Sequence, residues 1–285
     1  MRTIRSEQLT ESVAYHGEGP VWSERWGGLR WVDMLAGDVL SLAADGTIGR
    51  RHVGAVAACI RPRRRGGAAI GIERGFALEE PDGRVTPLGE LWADEGVRMN
   101  EGGCDPDGRF YCGSMASDER PGAAALYRLD PDRSTHLVLR GLTISNGLDW
   151  SPDGDRAYYV DSPTHSIDTF DYERGAGFVR RRRFVEIPPD LGDPDGLTVD
   201  GEGGVWVALW GGSAVHRYGP DGALDLVVEV GARQVTACAL GGDDLDRLFI
   251  TTSREGLAPG DDPLAGSLFT VEAGVRGQPV REFAG

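Results

Sequence analysis

Four short stretches of this chain place an oxygen-bearing side chain beside a glycine where a strand is about to begin. They are Glu18-Gly19-Pro20, Asn100-Glu101-Gly102, Asn146-Gly147-Leu148 and Asp195-Gly196-Leu197. Carboxylates and amide oxygens, with no His or Cys at the same position, suit a hard divalent cation completed by water. Asn-Gly and Asp-Gly are also the commonest two-residue hairpin turns, so one such stretch alone says only that the chain reverses. Recurrence in the same phase makes the set chemical, as does Glu18, which is no turn former. A carboxylate buried at a channel mouth is costly without a cation or a partner. His16, two residues before Glu18, shares its strand face and either approaches the ion or packs beside it. Asp161 either supports the metal ligands from behind or simply ends its strand. The chain has no Gly-x-Ser-x-Gly elbow and no Ser-His-Asp order, so nothing supports an acyl-enzyme route.

The elements that must bring these residues together read as repeats. Runs of β-branched and aromatic residues recur every ~40 to 50 positions, as at Leu29–Asp33, Ala68–Ile72, Arg109–Gly113, Ala157–Asp161, Val205–Leu209 and Leu248–Thr252. Third strands follow in phase, most of them running into Asp-Gly or Pro-Asp-Gly turns, and a more polar fourth strand comes next. The stretch Ile144–Ser162 shows the unit: Ser145-Asn146-Gly147 reads as a tight polar turn, Ser-Pro-Asp-Gly reverses the chain, and Ala157–Val160 returns. Six units of four antiparallel strands predict an all-β fold, a six-bladed β-propeller forming one domain over 1–285. A sandwich or barrel would not hold this phase through six units. In a propeller the first strand of each blade lines the central channel, so the four stretches converge on the axis.

The totals exclude some function classes. With 30 basic against 45 acidic residues the formal charge is −15, which disfavours nucleic acid and anionic membrane as partners. Every basic side chain other than the five His is Arg. The runs Arg180–Arg183 and Arg61–Arg65 read as solvated faces of edge strands. The four cysteines, Cys59, Cys104, Cys112 and Cys238, have no zinc-ligand spacing, and Cys59 and Cys238 read as small buried groups on inner strands. The first residues carry no apolar leader, and no apolar run approaches membrane-spanning length. The expectation is a soluble, reduced, cytoplasmic protein, a monomer or an oligomer alike compatible with the sequence.

The motifs also resemble a known family, the SMP-30/gluconolactonase/regucalcin-like propellers. Gly17-Glu18-Gly19-Pro20-Val21-Trp22 with Trp31-Val32-Asp33, Arg98-Met99-Asn100-Glu101-Gly102, Ser145-Asn146-Gly147-Leu148-Asp149-Trp150 and Pro194-Asp195-Gly196-Leu197 carry the resemblance in order along the whole chain. The resemblance implies that Glu18, Asn146 and Asp195 hold one divalent metal ion, with Ca2+, Mg2+, Mn2+, Zn2+ and Fe2+ all compatible with such donors. It also implies that Asp195 doubles as catalytic base, that Asn100 lies on the substrate side, and that Arg98 and Asp118 grip sugar hydroxyls, with Glu119 as the alternative to Asp118. The activity it implies is hydrolysis of a small-molecule sugar lactone such as gluconolactone to the aldonic acid. Two rival readings share the architecture: a calcium-dependent phosphotriesterase-like or broad esterase, and a non-catalytic metal-binding propeller.

Overall fold

The computed structural model describes residues 2–285. Its strands form six sheets. The innermost strand of each is, in turn, Gly17–Ser23, Ala57–Pro62, Val97–Cys104, Ser145–Trp150, Asp193–Val199 and Val235–Gly241. These six follow one another around an axis, and the other strands of each blade step outward from it. The six-bladed propeller is thus the observed fold. Inner strands are buried almost throughout. Outer ones such as Val85–Glu90 are half-buried or exposed at every residue, as expected for sheets that pack on both faces near the axis and on fewer neighbours at the rim.

The core lies between blades. Tyr111, Trp150, Tyr159 and Phe170 pack where the third blade meets the fourth, and Leu29, Trp31, Leu40 and Phe249 where the sixth meets the first. Asp-Gly turns join the strands; in Ser151-Pro152-Asp153-Gly154, Gly154 takes φ +78° and donates to the Ser151 carbonyl. Acids in the turns are fixed locally. Asp105 accepts from the backbone N–H of Asp107 and Arg109, and Asp200 from those of Glu202 and Gly204.

Both chain ends add contacts that the repeats do not announce. The outer strand of the sixth blade is Glu7–Gln8, paired with Phe269–Glu272, so the N-terminal segment closes the ring. Arg2–Arg5 adds a fifth, parallel strand to the fifth blade. At the other end, Phe283 is fully buried in the core of the second and third blades, and Gln278 donates to the carbonyls of Trp150 and Val199 across the bottom of the channel.

Two local expectations are corrected. Ser145-Asn146-Gly147 is not a turn: it lies within the strand Ser145–Trp150, at a β-bulge. Every innermost strand carries such a register shift, at Glu18/Val21, Ala57/Cys59, Met99/Gly102, Ser145/Leu148, Pro194/Leu197 and Val235/Ala237. A bulge puts an extra residue in one strand and re-aims its side chain, which points residues in these strands along the channel rather than into a neighbouring blade. The glycines there serve close approach: a Cβ on Gly147 would sit 2.6 Å from the Leu197 nitrogen, and one on Gly196 2.5 Å from the Ala237 Cβ. The second correction concerns Arg61–Arg65. This run lies on and just beyond an innermost strand, the channel-side edge of its sheet; Arg64 and Arg65 are exposed as expected, but Arg63 is buried, donating to the carbonyls of Gly285 and Glu79. Arg180–Arg183 does lie on an outermost strand, with Arg181 on Asp168 and Arg183 on Glu186, both at 2.6 Å. All four cysteines are buried and free. No helix among the described residues is long and apolar enough to cross a membrane.

Gly147→Ala is expected to lower the free energy of unfolding by about 1–3 kcal/mol, because backbone faces the added methyl and cannot rotate away. Matched urea unfolding of variant and parent checks this; coincident midpoints would mean that the fourth and fifth blades are not packed this tightly.

Candidate metal and substrate site

One end of the channel opens into a cavity of about 360 Å3 whose lining includes His16, Glu18, Arg98, Asn100, Asn146 and Asp195. Five of the six residues implied for metal, catalysis and substrate are therefore brought together from four different blades. Asp118 is not. Its carboxylate is exposed and receives the Arg120 guanidinium at 2.8 Å, while its neighbour Glu119, held at φ +55°, lines the cavity. Of the two alternatives, the geometry favours Glu119.

The clamps that fix this cavity are aspartates at the ends of second strands. Asp33 accepts from the backbone N–H of Tyr15 and His16 at 3.0 Å, and Asp161 from those of Thr143 and Ile144. Each thereby sets the approach of the chain to a ligand-bearing strand, Glu18 in one case and Asn146 in the other. Asp161 supports the site in this way without touching the amide of Asn146.

A chain of hydrogen bonds crosses the floor. Arg98 Nη1 donates to Asn100 Oδ1 at 2.7 Å, Asn100 Nδ2 to Asn146 Oδ1 at 3.0 Å, and Asn146 Nδ2 to Ser162 Oγ at 2.9 Å. Because each amide is held at both ends, the carbonyl oxygen of Asn146 has one orientation and one lone pair to spare. Glu18 receives the Gly19 N–H on Oε2, and its Oε1 lies 3.9 Å from His16 Nε2. His16 Nδ1 meets Ser253 Oγ at 2.7 Å and Glu255 Oε2 at 3.2 Å. Asp195 Oδ1 is buried with no hydrogen-bond partner.

Burial dominates the electrostatics. It pushes the Glu18 and Asp195 carboxyls well above the usual carboxylate range, and their mutual repulsion and that of Glu101 add to it. Burial, with Arg98 nearby, drives His16 down to about 3, so its ring is neutral. Glu101 is separated from this set: the alternation along its strand sends it into a smaller chamber of about 70 Å3 farther down the channel, where burial raises it to about 8.

Glu18, Asn146 and Asp195 fit a hard divalent cation. They supply oxygen donors only, one of them a buried carboxylate oxygen without a partner and another facing a neutral imidazole. Among the described residues no group of three His, Cys, Asp or Glu side chains forms a metal cluster, so the set depends on its amide member. Sequence reasoning missed Ser162, Trp210, Ser253 and Glu255. All lie at or just after the ends of second strands, a position at the same mouth as the first-strand bulges, and reading that column across the repeats would have found them.

The charge arrangement fixes a pH dependence. Burial raises all three carboxyls in the folded protein, so they hold their protons to higher pH than in the unfolded chain. Their contribution is complete at low pH and is lost as pH rises from about 4.5 towards 8. Metal-free protein is therefore expected to melt at lower temperature at pH 8 than at pH 6. Added Ca2+ or Mn2+ should raise the melting temperature more at pH 8, with proton release on binding. Thermal melts at both pH values, with and without ion, test this; an ion-induced increase that is equal at both would contradict it.

Residues 16–254 match the model of the SMP-30/Gluconolactonase/LRE-like region. Regucalcin of Danio rerio is 35% identical over 296 residues, with 100% of each chain covered. A crystal structure of a calcium-binding protein, regucalcin, from Agrobacterium tumefaciens superposes with a TM-score of 0.93 at 26% identity, covering 99% of this chain and 98% of that one. A luciferin-regenerating enzyme superposes with a TM-score of 0.88 at 26% identity, covering 98% of this chain and 99% of its own.

Proposed function

The chain belongs to the SMP-30/gluconolactonase/LRE-like family, and from that membership and its own cavity we propose that it is a metal-dependent hydrolase that opens a sugar lactone to the free aldonic acid. The observation that carries the reading is Asp195: a buried carboxyl with one unpartnered oxygen, in the same cavity as two further oxygen donors and a guanidinium. Buried carboxyls are ordinarily hydrogen-bonded, and of the two buried acids here with an unpartnered oxygen, Glu101 being the other, Asp195 is the one in this cavity.

Glu18, Asn146 and Asp195 would hold the ion. When bound, it would polarise the lactone carbonyl and stabilise the negative charge that develops on its oxygen. The chain's own residues do the rest. Asp195 Oδ1, free of any internal hydrogen bond, takes a proton from the water that adds to the carbonyl carbon. The carbon–oxygen bond of the ring breaks, and the departing ring oxygen receives that proton as it becomes a hydroxyl. Arg98 presents donors to the substrate's hydroxyls, Asn100, whose amide N–H groups are spent on Ser145 and Asn146, offers its Oδ1 as an acceptor, and Glu119 accepts at the rim, so the ring is oriented before reaction. Buried, neutral His16 keeps positive charge away from Glu18 and leaves the ligand set electron-rich.

The same metal ligands would also serve a non-catalytic metal-binding propeller, and the Agrobacterium relative is a calcium-binding protein. Such a role needs the series from Arg98 to Ser162 only to orient the Asn146 amide, and leaves Arg98 and Glu119 on the cavity wall without a substrate to hold. A pH-stat panel of aldonolactones, aryl esters and organophosphates separates lactonase, esterase and non-catalytic readings directly.

Asp195→Asn is expected to retain the fold while kcat falls by about 100-fold or more. Unchanged turnover would show that Asp195 is not the base. Glu119→Gln is expected to raise KM for a sugar lactone about tenfold with kcat nearly unchanged, consistent with loss of a hydrogen bond to a charged group. Asp118→Asn should leave KM as it is, and steady-state kinetics on the two variants decides between these neighbours.

A further inference from the structure

The cavity does not stop at the lactone position. Above Arg98 it opens into a second and wider space of about 720 Å3, and Arg98, Met115, Glu119, Trp210 and Glu255 line both. A one-ring lactone seated against Glu18 and Asp195 would leave this outer space empty. Its lining is mixed in a particular way. Leu35, Val56 and Val97 form an apolar floor beside the half-buried Trp210 ring, and Glu73 and Glu95 stand at the edge. Glu95 has no hydrogen-bond or ion-pair partner among the described residues, and Glu73 receives one backbone N–H, from Ala55. Two cations line this side: Arg74 is already paired with Glu90, and Arg98 is tied through Nη1 to the Met99 carbonyl and Asn100 Oδ1 at the inner cavity.

These features select a chemistry. With Arg74 paired, Arg98 drawn to the inner cavity, and Glu73, Glu95, Glu119 and Glu255 around the lobe, carboxylates outnumber guanidiniums and an anionic group such as phosphate finds net repulsion. A long hydrocarbon chain would cover the carboxylates and cost their hydration. A second sugar ring suits both halves: its C–H face lies on apolar and aromatic side chains, and its hydroxyls donate to free carboxylates. We propose that the outer lobe is a glycosyl subsite, and that the preferred substrate is a neutral lactone bearing a second sugar, a disaccharide aldonolactone. The proposal rests on the lactonase reading above and extends the same site.

The test compares the metal-loaded protein on gluconolactone and on 4-O-glucosyl-gluconolactone. Beside it, calorimetry measures binding of the corresponding alditols, glucitol and 4-O-glucosyl-glucitol, which contain no lactone to open. The expected result is a KM for the disaccharide lactone at least tenfold lower at similar kcat, with tighter binding of the disaccharide alditol. Ala55→Trp, at the exposed edge of the outer lobe and away from the inner cavity, should abolish both advantages while leaving gluconolactone kinetics within twofold. If gluconolactone is hydrolysed but the second ring brings no gain in either measurement, the subsite is overturned and the lactonase stands. If the disaccharide alditol binds tightly yet neither lactone is opened, the subsite stands and the lactonase reading falls. Preference for a lactone with an alkyl chain would also overturn the glycosyl assignment.

Discussion

Two carboxyl groups, Glu18 and Asp195, are buried at the end of a channel where Arg98 is the nearest guanidinium and the neighbouring histidine is neutral. Isolated negative charge in such a place is unfavourable by several kcal/mol unless a proton or a cation accompanies it. The surrounding structure holds this arrangement in place rather than relieving it. Asp33 and Asp161 fix the chain entering the ligand strands. The Arg98–Asn100–Asn146–Ser162 series fixes the amide, and glycines 147 and 196 let adjacent blades close to a distance that any side chain would prevent. The fold thus keeps three oxygen donors together at a cost that ligand binding can offset.

The donor set lies towards one end of the channel. At the other, Gln278 spans from Trp150 to Val199, Arg281 reaches the Ser151 carbonyl, and Phe283 anchors the segment in the core. Glu101 lies between the two ends, in a chamber bordered by this tail. Ligands meet the donor set from the face that carries Glu119, Trp210 and Glu255, and those side chains are therefore placed to select among them.

The architecture was legible because a propeller repeats: strand-length β-branched runs in constant phase cannot be satisfied by many folds, and the same phase located Glu18, Asn146 and Asp195. What was misread depends on distances along no single stretch. Asn146-Gly147 has the composition of a turn, yet the glycine is required by Leu197 and Asp195 of the next blade, a contact absent from local sequence. Arg63 has the composition of a solvated run, but its partners include Gly285, at the far end of the chain. Asp118 and Glu119 differ only in which way a short loop turns, and the backbone at Glu119 adopts a left-handed conformation that its residue type does not announce. Ser162 and Glu255 escaped because attention to first strands left the second-strand ends uncompared.

The pairing of Glu7–Gln8 with Phe269–Glu272 has a kinetic corollary. Gln8 and Ser267, joined by a hydrogen bond beside this pairing, are 259 positions apart. Contacts of such long range are slow to form, and until they do the sixth blade presents a bare strand edge to its surroundings. During synthesis on the ribosome, the segment around Glu7 must therefore wait, unpaired, for nearly the whole ring to emerge. In that interval a neighbouring nascent copy offers the same strand, so exchange of this segment between molecules is the characteristic misassembly of this architecture.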